Sequence, residues 1–218
     1  MGEISQLLFP ERCVGCSQSH GLLCKRCSRE WGFSIRNSID CVPLISTSYY
    51  SLSISHIILR AKENNDSRAR RVLANAIAIH ITQPRILIPI PSSPANNRRR
   101  GYDHSLLLAK EVARLSGSKV WPALRIIRKV RDQTQLAHAK RFINLSGSYA
   151  LDPSILKGNE FGREVVLIDD LVTTGASMRE AIRALSVSGE FGEGKIRPIQ
   201  AISACIATHN LPNTISPY

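Results

Sequence analysis

Long apolar runs are missing from this chain. No uninterrupted stretch reaches the roughly 18 residues that a membrane-spanning helix needs, so insertion into a bilayer is not expected. The opening residues, MGEISQLLFPERC, carry Glu3 and only a short apolar patch before Pro10, which does not match a secretory signal. A cytoplasmic protein is the expectation. Aromatic residues are few, at 6%, which argues mildly against extensive stacking on nucleic acid bases. Acidic residues are also scarce. The chain has 17 of them against 29 Lys plus Arg, and the net charge of +12 favours an anionic partner such as nucleic acid or a polyphosphate. There is no internal repeat and no low-complexity tract. The rest of the composition, 43% hydrophobic and 21% charged over 218 residues, suits one core domain with a small appendage.

Cysteine is present, and it is clustered. Cys13 and Cys16 form one C-x2-C pair, and Cys24 and Cys27 form a second one seven residues on. In a reducing compartment two such pairs point to a metal rather than to disulfides. Four thiolates close a tetrahedral zinc shell and leave no position for a catalytic water, so a structural zinc is expected. Gly15 and Ser17 permit the tight turn that aims backbone amides at sulfur. A module this small has little core of its own and is expected to depend on its metal to fold. Cys41 and Cys205 stand alone and read as small buried residues.

Further along, Val165 to Ile168 are four consecutive apolar residues, as in a strand buried on both faces of a parallel sheet. Asp169 and Asp170 follow where that strand is expected to leave the sheet. Thr173, Thr174, Gly175, Ala176 and Ser177 then lead into a helix, because Met178, Ala181, Ile182 and Leu185 recur at helical spacing. The first amides of a helix lack internal partners and carry the positive end of its dipole, so small residues there admit a phosphate. A carboxylate pair beside a phosphate needs donors of its own to bind, and vicinal sugar hydroxyls supply them. Strand, acids, turn and helix together suit a ribose 5-phosphate.

The intervening chain is less decisive. A weak pattern from Trp31 to Tyr50 places a boundary between residues 1–45, the cysteine module and linker, and residues 46–218, the main domain. Ile54 to Ile81 is helical in pattern, broken by the polar run Lys62 to Arg71, which reads either as a loop between two helices or as a solvated turn. Arg85 to Ile90 is a short strand. After it, SSPANNRRRGYDHS reads as a mobile, positive loop in which Arg98, Arg99 and Arg100 suit pyrophosphate. Asp103 or Ser105 caps the next helix, which stops at Gly117. Lys119 to Val130 looks like strand material interrupted by Pro122, Tyr149 to Leu151 like a strand, and Ile196 to Ala207 like one or two closing strands.

The stretch from Asp169 to Ser177 resembles the phosphoribosyl pyrophosphate (PRPP) signature of type I phosphoribosyltransferases. More of the chain is similar to the ComF family. The shared features are Cys13, Cys16, Cys24 and Cys27; Pro89 to Pro91 with Arg98 to Gly101; Asp132, Gln133, Leu136, Arg141 and Asn144; and Asp169 to Ala176. The resemblance implies an α/β fold: a type I phosphoribosyltransferase-like parallel sheet with flanking helices, preceded by a four-cysteine zinc ribbon. It also implies that Asp169 and Asp170 hold the ribose hydroxyls, that Thr173 to Ser177 cup the 5-phosphate, and that Arg98 to Arg100 grip the pyrophosphate of PRPP with magnesium. On that footing Asp169, Asp170 and Arg100 carry any catalysis. One departure is Asp103-His104, where the family commonly has Asn-Gln. Family members are associated with DNA uptake, so the two functional expectations are a phosphoribosyl transferase and a basic accessory that contacts single-stranded DNA and protein partners.

Overall fold

The structure, a computed structural model, describes residues 12–18, 21–128, 145–152, 164–186 and 196–207. Its centre is a six-stranded sheet built on β7 (Glu164–Val172). The four residues Val165 to Ile168 are each no more than 1% exposed, and they alternate between two cores. Val165 and Leu167 pack under the helix α6 (Ala176–Ser186), while Val166 and Ile168 pack on the opposite side. A strand with apolar residues on both sides belongs in the interior of a covered parallel sheet, and β7 takes that place. On one flank β8 (Arg197–Ile206) runs parallel to it, and on the other β3 (Ile86–Pro89) does the same. The sheet continues through β4 (Lys119–Val120) beyond β3 and through β2 (Val42–Ser46) beyond β8, both parallel. At the edge, β1 (Ile35–Ile39) runs antiparallel to β2.

The second face is covered by α2 (Leu52–Glu63), α3 (Ser67–Ala78) and α5 (His104–Ser116). The polar run between α2 and α3 resolves as a short loop rather than one solvated turn, because Asp66 accepts hydrogen bonds from Arg68 N and Ala69 N and so starts a new helix. Asp103, not Ser105, caps α5 by accepting from Leu106 N, and Gly117 ends it in the left-handed region at φ 68°. On the first face, a two-stranded sheet of β5 (Leu124–Ile126) and β6 (Tyr149–Leu151) packs with α6.

Several expectations change. The weak pattern before residue 50 hides the hairpin β1–β2, whose two-residue turn places Asp40 and Cys41 at positive φ, 47° and 66°. Cys41 is therefore exposed at a turn tip and not buried, whereas Cys205 is buried as expected. The boundary drawn at residue 45 falls inside β2, which hydrogen-bonds to β8 within the main sheet. Residues 35–46 thus complete the sheet. Arg98 to Arg100 do not lie in a loop: they form the last turn of α4 (Pro94–Arg100), with proline in its first turn and Gly101 at φ 78° after it. Proline at the start, cations at the end and glycine beyond are all helix signals. Among the described residues no helix is long and apolar enough to cross a membrane.

Candidate functional site

Two clusters of chemistry-bearing side chains lie at opposite ends of α2. The first is the cysteine module. The four sulfur atoms of Cys13, Cys16, Cys24 and Cys27 lie within 4.8 Å of one another, and Cys16 Sγ is 3.7 Å from Cys24 Sγ. Gly15 N and Cys24 N both donate to Cys13 Sγ at 3.4 Å, as the glycine turn suggested. A Cβ at Gly15 would stand 3.0 Å from Cys27 Sγ, so a larger residue there would press on the thiols. Burial works to raise the pKa of Cys13, but these backbone donors prevail and bring it down to about 6. Cys24 also caps the short helix α1 (Lys25–Ser28). The donor set and its spacing fit a tetrahedral thiolate-bound ion such as zinc.

The second cluster surrounds the acidic pair. Asp169 and Asp170 do not leave the sheet; β7 continues to Val172, and Asp169 stays in register with Ser203 of β8. As neighbours on a strand they point to opposite faces. Asp170 turns toward α2 and α5, where Lys62 Nζ donates to its Oδ2 at 2.9 Å and His104 Nε2 lies 3.3 Å from the same oxygen. Burial works to raise the Asp170 pKa, yet Lys62 and His104 outweigh it and hold the carboxylate well below its ordinary range. Asp169 is shifted the other way, pushed well above that range by burial and then by the negative charge of Asp170. One acid is therefore held as an anion, and its neighbour is biased toward the protonated form. Asp170 N donates to Asp169 Oδ1 at 2.9 Å, which ties the pair together.

The turn that follows has the anticipated shape. Thr173 and Thr174 are half-buried, Gly175 takes φ 71°, and Ala176 starts α6 with its N–H donating to Thr174 Oγ1 at 3.3 Å. Ser177 lies in the first turn of that helix, near Tyr149, whose hydroxyl is pushed up to about 12 chiefly by burial. Strand, acids, turn and helix are thus contiguous.

The arginines join this cluster through α2. Its last turn presents Lys62 to Asp170 and Glu63 to α4, where Glu63 Oε2 accepts from Arg99 Nη2 at 2.7 Å and Oε1 from Arg100 Nε at 3.1 Å. Arg100 is 5% exposed at its side chain, whereas Arg98 is exposed. Tyr102 Oη donates to the Lys62 carbonyl at 2.7 Å and accepts from Asn65 N at 2.9 Å, so the end of α2 is pinned. The expected motif residues Asp132, Gln133, Leu136, Arg141 and Asn144 lie outside the described residues.

Lys62, Glu63 and His104 were not singled out as site residues from sequence, although a signal existed. Ile54, Ile58 and Lys62 follow one another at i, i+4 and i+8 on α2, as do His104, Leu108 and Val112 on α5. A charged or titratable residue on the row of a buried helical face needs a buried partner. Here the partner of both is Asp170.

No family model matches the chain. Individual proteins do. Competence protein F of Haemophilus influenzae is 25% identical over 197 residues, which cover 81% of this chain and 85% of that protein. Competence protein ComFC of Bacillus subtilis is 25% identical over 181 residues, 81% of this chain and 71% of that one. DNA utilization protein YhgH of Escherichia coli O6:H1 is 24% identical over 193 residues, 84% and 79% of the two chains. Among solved structures, TT1426 from Thermus thermophilus matches at 21% identity over 68% of this chain and 86% of that one, with a TM-score of 0.29 that is too low to bear on the fold. These relatives, named for competence and DNA utilization, align with about four fifths of the chain, and with the four thiols gathered near its amino-terminal end they agree with the resemblance to the ComF family.

Proposed function

We propose that this protein binds PRPP, or a related ribose 5-phosphate ligand, with magnesium at the carboxyl end of β7, and transfers the phosphoribosyl group to an acceptor in the service of DNA uptake. The observation that carries the reading is the continuous run of Asp169 and Asp170, the Thr173–Gly175 turn and the start of α6. Ligands of open α/β sheets collect beyond the carboxyl ends of the strands. Thr173, Thr174 and Ser177 offer hydroxyl donors to a 5-phosphate, and the amides at the start of α6 add the positive end of its dipole. Asp170, an anion, accepts from a ribose hydroxyl, and Asp169 adds further acceptor oxygens. Magnesium, when bound with the ligand, neutralises pyrophosphate oxygens as hard cations do.

In the transfer itself the bond from ribose C1 to pyrophosphate breaks and its electron pair leaves with the pyrophosphate. The acceptor's lone pair forms the new bond to C1, and the acceptor releases its proton to solvent. An oxocarbenium-like transition state asks two things of the chain, a fixed ribose and a stabilised leaving group. Asp169 and Asp170 serve the first, and Arg100 with its neighbours Arg98 and Arg99 the second. The relatives named for competence and for DNA utilization support the biological setting.

Calorimetric titration of the zinc-loaded protein with PRPP and magnesium tests the reading. Binding that Asp169→Asn/Asp170→Asn abolishes is the expected result, and absence of binding to the intact protein would overturn it. A second reading, a basic accessory for single-stranded DNA, has an observation of its own. Lys25, Arg26, Arg29 and Arg36 are exposed and make no ion pair among the described residues, and exposed Phe33, Tyr49 and Tyr50 lie near them in sequence or across the sheet edge. Arg99 and Arg100, by contrast, are already paired with Glu63. If DNA binding is the role, its salt dependence is set by the first group rather than by α4.

A further inference from the structure

Glu63 holds two guanidinium groups at once. Arg99 Nη2 approaches one of its oxygens at 2.7 Å, and Arg100 Nη2 and Nε approach the other at 2.9 and 3.1 Å. This fork around two oxygens is the arrangement by which arginines hold phosphoryl groups. The carboxylate does not satisfy the site. Arg100 Nη1 is buried without an acceptor among the described residues, and a buried guanidinium N–H left unpaired is a donor kept for something else. Lys62, the neighbour of Glu63 on α2, adds a third cation, so among the described residues Lys62, Arg99 and Arg100 are paired with Glu63 and Asp170 alone.

We propose that Glu63 is an internal anion occupying the subsite of the ligand's pyrophosphate, and that Lys62 is a further ligand-binding residue of that subsite. The inference rests on the phosphoribosyl reading for its ligand and deepens it. Two linked phosphoryl groups carry more charge and more acceptor oxygens than one carboxylate, so they take Arg99 and Arg100 from Glu63 and reach the spare Nη1. Arg99 is 60% exposed at its side chain, so its pair with Glu63 is weak and readily given up. Arg100 is buried and stays paired throughout, which makes the event an exchange of one anion for another. Because Tyr102 pins the last turn of α2, the exchange moves side chains and leaves the helix in place. A site held by its own carboxylate also discriminates: single phosphates and carboxylates lack the charge to displace Glu63, and pyrophosphates do not.

Titrating the full zinc-loaded chain with inorganic pyrophosphate, in wild type and Glu63→Gln, tests this. Without its internal competitor the variant is expected to bind pyrophosphate about tenfold more tightly, the worth of one charge-assisted hydrogen bond. It is also expected to melt lower without ligand, since Arg100 has lost its counter-ion, and to gain more than wild type when pyrophosphate is added. Glu63→Asp retains the charge with a shorter reach and should shift both readings the same way by less, so it serves if Glu63→Gln does not fold. Equal or weaker pyrophosphate affinity in these variants overturns the proposal. PRPP separates the two readings. If wild type binds PRPP while Glu63→Gln leaves pyrophosphate affinity unchanged, the internal anion falls and the phosphoribosyl site stands. If wild type ignores PRPP while Glu63→Gln gains pyrophosphate affinity, the subsite stands and its proposed ligand falls.

Discussion

The two ends of α2 hold converging polar groups in opposite ways. At its amino end Glu30 accepts from Ser51 Oγ and Ser53 Oγ, and His56 Nδ1 lies 3.2 Å from the Gly15 carbonyl, so the helix start is tied to the cysteine module. That module gathers four thiols whose charges, once ionised, have one sign. Its apolar contribution goes elsewhere, since Val14 is fully buried in the core of the main sheet. At the carboxyl end, about 18 Å away for a helix of this length, the side chains bring both signs: Lys62 to Asp170, and Arg99 and Arg100 to Glu63. One end gathers donors of a single kind that fit an external cation. The other balances itself with its own side chains.

The difference predicts unequal sensitivity. Stripping the metal should have the largest effect, because structural zinc–thiolate sites carry apparent binding free energies of about 10 kcal/mol or more. Metal analysis is expected to find one zinc per chain, and chelation to lower the melting temperature and expose amides around Gly15 and the start of α2 to exchange while β7 stays protected. Unchanged melting after complete removal of metal would refute a structural role for the cluster. Next in size is Lys62→Met, which leaves the buried Asp170 carboxylate with only His104 beside it and should destabilise the fold by about 3 kcal/mol. Adding Asp170→Asn to Lys62→Met should recover most of that loss in denaturant unfolding. If the two losses simply add, Lys62 and Asp170 are not the coupled pair their 2.9 Å contact describes.

How far the sequence reveals each region follows from the range of the interactions that build it. The cysteine pairs, the β7 strand, the turn and α6 are local patterns of a few residues and lie where periodicity and spacing put them, except that β7 runs on through the two acids to Val172. The hairpin β1–β2 is not legible, because its strands alternate weakly and it is held by pairing with β8, more than 150 residues away. The arginine helix was readable from Pro94 and Gly101 but obscured by its polar content. Around the acids, type and position are local, but the partners are not. Lys62 lies 108 residues from Asp170 in sequence, and nothing in either segment alone says that they meet.

The smallest expected effect is the most diagnostic, because it sets two neighbouring acids against each other. A carboxyl whose pKa is lower folded than unfolded stabilises the protein above the unfolded value, near 4, and loses that contribution as pH falls below it. Asp170 is such a group. One whose folded pKa is raised gives its full contribution below that value and loses it as pH rises through the folded pKa, as Asp169 does. At neutral pH Asp169 is therefore a burden on the fold, and Asp169→Asn should stabilise it by about 1 kcal/mol, as substitutions that relieve functional strain do. Asp170→Asn should destabilise it, because the Lys62 ammonium then has no counter-ion. Unfolding measured from pH 4 to pH 8 should show the gain from Asp169→Asn growing with pH and the loss from Asp170→Asn persisting throughout. Equal responses from the two variants would mean that the acids share one environment, against their placement on opposite faces of β7.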